Sequence, residues 1–144
     1  MHARIRNATI TFAATIALGM TSAGAAEGDQ VPLTTAELTT LLSGQTETWS
    51  TFGAGYYDPA GRIEFVWKDK PGSGAWKIIA QAETDTGTDT GTDTGILCLK
   101  ITAWYGDDFN CGWSYFRVDG DIFSLNLKTD KATKMPGFAP GKTF

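Results

Sequence analysis

The sequence predicts a mainly β fold: a small antiparallel β barrel or curled meander sheet of about seven strands with one short N-terminal helix. After Gly44, apolar and polar residues alternate with a period of two in most segments, as in half-buried strands. Turn-forming residues separate these segments, and Asp119-Gly120 between two alternating runs is typical of a two-residue hairpin. A meander has exposed edges, and curling hides them.

The N-terminus has the pattern of a secretory signal peptide over residues 1–26. Arg4 and Arg6 precede an apolar run over residues 10–20, and small residues follow up to Ala26. The run is shorter than the ~20 residues of a membrane-spanning helix. We therefore expect cleavage near residue 25 or 26, a periplasmic or secreted protein, and no membrane span after cleavage.

Residues 27–144 are expected to form a single domain, because 144 minus 26 leaves 118 residues, enough for one core. Ten basic and sixteen acidic side chains would remain, a net charge of −6 without a basic patch, so we expect no nucleic-acid partner. The one histidine, His2, would leave with the signal, which excludes Ser-His-Asp and Cys-His hydrolases and zinc sites built on histidine. We expect a monomer without a cofactor.

A short amphipathic helix is predicted before Gly44. Thr34 as N-cap and Glu37 three residues later form a capping box, and Leu33 and Leu38 form a hydrophobic staple. Gly44 suits the left-handed position after the last turn. We expect this helix to bury its leucines and close one end of the sheet.

The alternating segments define the predicted strands. The first four cover residues 45–51, 54–58, 62–68 and 75–82. The last hairpin turns at Asp119-Gly120, which places Phe116 opposite Phe123. In this register the core side is predicted to hold Phe116, Val118, Phe123, Leu125 and Leu127, and the outer side Trp113, Tyr115, Arg117, Ile122 and Ser124. We expect a flexible tail over residues 128–144.

Cys98 and Cys111 are the two cysteines of the chain. By alternation both point to the outer side of adjacent strands, so in an exported protein we predict a disulfide between them. On the loop-length model it stabilises the fold by about 3 kcal/mol. The alternative, a redox pair, typically needs the closer spacing C-x-x-C.

Residues 84–95 repeat Thr-Asp-Thr-Gly three times. Asp-Thr-Gly is an aspartic-protease signature, but the apolar strand that should precede it is missing. Asp85, Asp89 and Asp93 could offer oxygen ligands to calcium, although their spacing differs from that of known calcium loops. We therefore interpret the repeat as a solvated low-complexity loop and expect no metal site, with calcium as the alternative.

The candidate binding surface lies in or beside the loop that the disulfide would close. It consists of Trp104, Tyr105 and Trp113 with the acids Asp107 and Asp108. Aromatic faces beside acids and amides suit the binding of sugars or peptides.

Three functions fit the sequence. The leading hypothesis is a non-enzymatic binding module for an unidentified protein or small molecule. The second is an envelope inhibitor of a protease or lysozyme, of calycin type, that inserts a loop or residues 27–32 into the enzyme. The third is a hydrolase using carboxylates such as Asp58, Glu64 or Asp107. An apolar cavity would favour a ligand, and two carboxylates about 5–9 Å apart would favour hydrolysis.

Several short motifs follow one another in a distinctive order. They are Leu41-Leu42-Ser43-Gly44, Trp49, Tyr56-Tyr57-Asp58 with Gly61, Gly74-Ala75-Trp76, Leu97-Cys98, Cys111 and Asp119-Gly120. This order, over most of residues 33–127, resembles a family of small exported bacterial proteins, domain of unknown function 995. The resemblance implies export and a cysteine pair, and it implies no activity. The Thr-Asp-Thr-Gly insertion departs from the family pattern.

Overall fold

The computed structural model describes residues 28–81 and 93–144. The predicted signal peptide and most of the Thr-Asp-Thr-Gly repeat lie outside these residues. The elements in chain order are β1 (Val31–Pro32), α1 (Thr35–Leu42), β2 (Gln45–Ser50), β3 (Gly53–Tyr57), β4 (Arg62–Trp67), β5 (Lys70–Ala80), β6 (Gly95–Lys100), α2 (Thr102–Tyr105), β7 (Asn110–Val118), β8 (Asp121–Asn126), β9 (Lys131–Lys134) and β10 (Gly137–Pro140). The described part of the chain therefore holds ten strands, more than the seven expected.

All ten strands form one curled antiparallel sheet, a half-barrel, which confirms the predicted fold class. From β2 to β9 each strand pairs with the next one in the chain, as in a meander. The predicted flexible tail is instead part of the sheet: β9 pairs with β8, and β10 pairs with β2. The two edge strands of the sheet, β9 and β10, are therefore consecutive in the chain, with Met135 and Pro136 between them.

Helix α1 begins and ends as its sequence predicts. Thr34 Oγ1 accepts a hydrogen bond from Glu37 N at 3.2 Å, and Glu37 Oε2 accepts one from Thr34 N at 2.9 Å. Gly44, two residues after the helix, has a φ of 72°. These bonds satisfy backbone groups that the first turn leaves without a partner.

Helix α1 closes one end of the half-barrel. Leu33, Leu38 and Leu42 are fully buried in the same core as residues of the sheet. The helix contacts β2, β5 and β6, and β2 is separated from β6 by three strands in the sheet. A helix that touches strands so far apart must span the concave face, as we expected.

Strand β7 contains a bulge that changes which side chains face inward. Cys98 pairs with Cys111, whereas Leu97 pairs with Trp113, so Gly112 is an extra residue on β7. Because opposite residues share a face, the disulfide between Cys98 and Cys111 lies on the convex face and Trp113 on the concave one. The prediction of the disulfide is confirmed. The prediction that Trp113 faces out was wrong, because a strict period of two fails at a bulge.

The same shift reverses the faces predicted for the last hairpin. Phe116 pairs with Phe123 as predicted, and their rings stack at 5.3 Å. However, Tyr115 belongs to the concave core, so Phe116 faces the convex side. Leu127, predicted to be in the core, is 41% exposed. The turn fixed the register correctly, and only the assignment of faces was wrong.

The N-terminal arm, proposed above as an inserting segment, pairs with the sheet. Val31 and Pro32 lie opposite Arg117 and Phe116 of β7. Within residues 28–81 and 93–144, neither helix has the length and apolar character needed to cross a membrane.

Candidate functional site

A cavity of about 460 Å³ opens on the concave face, at the end of the half-barrel opposite α1. The register of the strands places its tryptophans at that end: Trp49 lies near the end of β2, Trp67 at the end of β4 and Trp113 near the start of β7. The lining consists of Glu47, Trp49, Tyr57, Trp67, Leu97, Leu99, Trp104, Tyr105, Trp113, Tyr115, Ser124, Thr133 and Met135. This volume lies within the usual range for small-molecule sites.

Two glycines of β3 make room for the tryptophan rings. A Cβ added to Gly55 would lie 2.4 Å from Trp49 Cζ2, and one added to Gly53 would lie 2.3 Å from Trp67 Cε3. The indole rings therefore pack directly against the backbone of β3, which any larger residue would prevent. The sequence Gly-Ala-Gly thus shapes one wall of the cavity.

Trp104 of α2 completes an aromatic rim around the opening. Its ring centroid lies 4.6 Å from that of Phe65 and 6.2 Å from those of Trp49 and Trp67. Tyr105 lies 5.9 Å from Trp113. These separations fall in the favourable range for aromatic pairs. Trp104 is still 41% exposed, so a molecule at the mouth can reach it.

The disulfide holds the segment that carries Trp104 and Tyr105. Helix α2 has four residues, and in the described chain Ile101 at its N-cap provides no side-chain hydrogen bond. A helix this short is not stable by itself. Cys98 in β6 precedes the helix and Cys111 in β7 follows it, so their bond ties together the two strands that carry the segment. The cysteine pair therefore supports the rim of the cavity from the convex side.

Glu47 lies between the cavity and the buried core, and its carboxylate accepts three hydrogen bonds. Its Oε2 accepts from Trp49 Nε1 at 2.8 Å and from Tyr57 OH at 2.6 Å. Its Oε1 accepts from Tyr115 OH at 2.6 Å. The two hydroxyl distances are typical of charge-assisted bonds. Because Glu47 is on β2 and Tyr115 on β7, the last bond crosses the concave face.

Burial controls the acid–base properties of this cluster. Complete burial of Glu47 raises its pKa, and this effect exceeds the opposing effect of its three donors. Burial also raises the pKa of Tyr57 and of Tyr115 well above the usual value, and the nearby Glu47 charge raises both further. Both phenols therefore remain hydrogen-bond donors at neutral pH.

The structure brings together three of the five predicted surface residues. Trp104, Tyr105 and Trp113 line the cavity. Asp107 and Asp108 do not line it: both are exposed in the turn after α2, where Asp107 Oδ1 accepts a bond from Thr102 Oγ1 at 3.3 Å.

Glu47 was missed by the sequence reasoning, although a signal for it exists. It shares a strand face with Trp49, two residues later, so an acid and a large aromatic residue occupy the same face of the predicted strand. An acid on a buried face is uncommon and suggests a hydrogen-bonded or functional group.

The acids considered for hydrolysis lie outside the cavity lining. Asp58 accepts a bond from Ala60 N in a turn, and Glu64 forms ion pairs with Arg62 and Lys142. Among the lining residues that the structure describes, Glu47 is the sole carboxyl group. The carboxylate pair that would favour hydrolysis is therefore not seen around this cavity.

The calcium alternative rested on three aspartates of the repeat. Asp93 Oδ1 accepts a bond from Thr35 Oγ1 at 2.7 Å at the start of α1. Asp85 and Asp89 lie outside the described residues. In the ranges 28–81 and 93–144 no group of three or more His, Cys, Asp or Glu side chains is placed to hold a metal ion.

A family model described as "Protein of unknown function (DUF995)" matches residues 8–112. The chain belongs to this family. The match confirms the resemblance found in the motifs, and it spans Glu47, the glycines of β3, α2 and both cysteines. No curated protein and no solved structure matches the chain.

Proposed function

We propose that this protein is an exported, non-enzymatic binding module of the cell envelope that holds a small molecule in its aromatic cavity. The observation that carries this proposal is the cavity itself: about 460 Å³, open at one end and lined mainly by aromatic and apolar side chains. Such a lining with a few polar groups is typical of ligand sites.

Two features support export. The first 26 residues have the order of a signal peptide, with basic, apolar and small residues in turn. The bond between Cys98 and Cys111 is of a kind that persists in oxidising compartments. Mass spectrometry of the protein from a periplasmic extract tests this point, and we expect a mature N-terminus near residue 26. An uncleaved chain in the cytosol would contradict it.

The state of Glu47 supports binding rather than catalysis. A general acid or base must come within hydrogen-bond distance of the proton that it transfers. Glu47 is 0% exposed, and Trp49, Tyr57 and Tyr115 already occupy its two oxygens. Its carboxylate therefore holds the wall of the cavity in place and is not presented to a substrate.

The five tryptophans provide a direct test of binding. Full-length chain is expressed, and the protein recovered from the periplasm is labelled with ¹⁵N and titrated with the neutral probe 3-tert-butylphenol. We expect the indole N–H signals of Trp49, Trp67, Trp104 and Trp113 to shift. Trp76 serves as the internal control, because its Nε1 donates to Asp58 O at 2.8 Å, away from the cavity. No shift at millimolar probe, or a shift at Trp76 alone, would overturn the proposal.

A further inference from the structure

The charges around the cavity are unevenly distributed. Among its described lining residues, Glu47 is the one charged side chain, and neither Lys nor Arg contributes. The nearby Lys77 points away, with its Nζ 4.5 Å from the centre of the Phe109 ring. Lys77 pairs with Cys98 and so lies on the convex face. An anionic ligand would therefore meet no basic partner inside the cavity.

The indole rings that line the cavity are inclined to one another. The planes of Trp49 and Trp67 differ by 48°, and Trp104 is inclined to them by 62° and 76° respectively. The face of an aromatic ring carries partial negative charge, and indole attracts cations more strongly than the other rings. Several indoles around one opening therefore favour a positively charged group.

Glu47 adds negative charge behind these walls, because both of its oxygens accept hydrogen bonds and neither donates one, as in an ionised carboxylate. Its Oε2 is bonded to the indole N–H of Trp49, so the carboxylate polarises a ring that lines the cavity. Since Glu47 is fully buried, its field is weakly screened by water and salt. The exposed Asp107 and Asp108 follow α2 at this end of the half-barrel, and the exposed Lys68 and Lys70 follow Trp67 at the same end, so Glu47 is the charge that acts on the cavity itself.

Sugars, considered from the sequence, fit this lining less well. A polyol has many hydroxyl groups that each need a partner when buried. Apart from Glu47, the phenols and the indole N–H groups, the polar side chains described in the lining are Ser124 and Thr133. Since the phenols of Tyr57 and Tyr115 and the indole N–H of Trp49 already bond to Glu47, a sugar would find few partners.

We propose that the cavity selects organic cations, an ammonium group on a ring or a short apolar body, over neutral and anionic molecules of the same shape. This inference rests on the proposed binding function and specifies its ligand class. The indole faces contact the cation, and Glu47 contributes the negative charge behind them.

Isosteric probes separate charge from shape. We compare (3-hydroxyphenyl)trimethylammonium with 3-tert-butylphenol, which differ in one atom, nitrogen or carbon. The anion 3-hydroxybenzenesulfonate is the third probe. Dissociation constants come from the same indole N–H titrations. We expect the cation to bind about tenfold more tightly than the neutral probe, and the anion to bind most weakly.

Two variants test the parts assigned to Glu47 and to the indoles. Glu47→Gln keeps the shape of the side chain, and its amide can accept from Trp49 and Tyr57 while donating to Tyr115. We expect it to lower the ratio between the affinities for the cation and for the neutral probe, and this ratio is the quantity compared. Asp121→Asn, at an exposed ion pair with Lys134, removes the same charge elsewhere and should not alter the preference. Trp104→Leu, at an exposed position, should reduce the affinity for the cation more than the affinity for the neutral probe.

The outcomes distinguish this inference from the proposed function. Equal affinity for the cation and the neutral probe, both at the cavity tryptophans, overturns cation selection and leaves the binding function standing. Binding of neither probe overturns both. A preference that is unchanged in Glu47→Gln overturns the role of the carboxylate, and this comparison requires that the variant keep the native indole spectrum. If the spectrum of Glu47→Gln is not native, cation selection is judged from the comparison of probes on the unmodified protein and from the effect of Trp104→Leu.

Discussion

The two helices close opposite ends of the half-barrel in different ways. Helix α1 has eight residues, a complete capping box and three fully buried leucines beside or within it. Helix α2 has four residues, and none of them is buried. The α1 end is a packed core, whereas the α2 end holds a cavity edged by indoles. The comparison indicates that one end provides stability and the other provides a surface for binding.

A cluster of three residues lies between the two ends: Glu47, Tyr57 and Tyr115. All three line the cavity, and the two tyrosines are also part of the buried core. Its bonds join β2, β3 and β7 across the concave face. The first prediction therefore concerns this cluster, and the next ones concern the α1 end and the α2 end separately.

Glu47→Leu should have the largest effect. It leaves the buried donors of Trp49, Tyr57 and Tyr115 without a partner, and we expect a loss of about 5 kcal/mol in the free energy of unfolding. Urea denaturation followed by far-UV circular dichroism measures it. The matched control is Glu47→Gln, which keeps one hydrogen bond to each of Trp49, Tyr57 and Tyr115, with the direction of the last one reversed, and should lose much less. Equal losses in the two variants would contradict the importance of these bonds.

Leu38→Ala at the α1 end should cost about 4 kcal/mol of unfolding free energy, because it leaves a cavity where a leucine was fully buried. Trp104→Leu at the α2 end should cost less, about 2 kcal/mol, because Trp104 is 41% exposed although it pairs with neighbouring aromatic rings. Denaturation of both variants under the same conditions tests the comparison directly. Similar losses would mean that the two ends contribute equally to stability.

Replacing both cysteines, Cys98→Ser with Cys111→Ser, should cost about 3 kcal/mol and loosen the α2 end selectively. Hydrogen exchange should become faster in residues 102–109 and stay unchanged in α1. The affinity for 3-tert-butylphenol should fall as well, because Trp104 and Tyr105 lose their fixed position. Unchanged exchange in residues 102–109 would show that α2 does not depend on the disulfide.

The smallest effect concerns pH. Burial raises the pKa of Glu47 in the folded state above the value of 4.5 that it has when unfolded. Below that value both states are protonated, and above it the unfolded state loses its proton first. Stability should therefore decline as pH rises from 4.5 through the folded-state pKa of Glu47. Unfolding measured across this range should show the decline in the wild type, and Glu47→Gln should lack it.

Local sequence signals predicted the elements that local interactions determine. The caps of α1 involve residues three positions apart, and the turn at Asp119-Gly120 fixes the register of its own hairpin. Both predictions were confirmed for this reason. The bulge at Gly112 left no comparable signal, since glycine also occurs in regular strands, and the faces of β7 were therefore reversed.

The centre of the site depends on contacts that are distant in the sequence. Glu47 meets Tyr115, which is 68 positions away, only because the sheet curls. Likewise β10 has four residues, one of them a proline, and such a segment gives a weak strand signal. Its pairing with β2, which is distant in the sequence, stabilises it. Sequence reasoning found the aromatic residues of the rim and missed the carboxylate that their strands bring together.

The C-terminal residues have a practical consequence for anyone who handles this protein. Thr46 Oγ1 donates to Gly141 O at 2.6 Å, and Gly141 N donates to Gly44 O at 2.8 Å, so the last residues hold the start of β2. That strand carries both Glu47 and Trp49. A fusion partner or a deletion at the C-terminus should therefore displace β2 and, with it, two residues of the cavity lining. The chain end itself lies outside that lining.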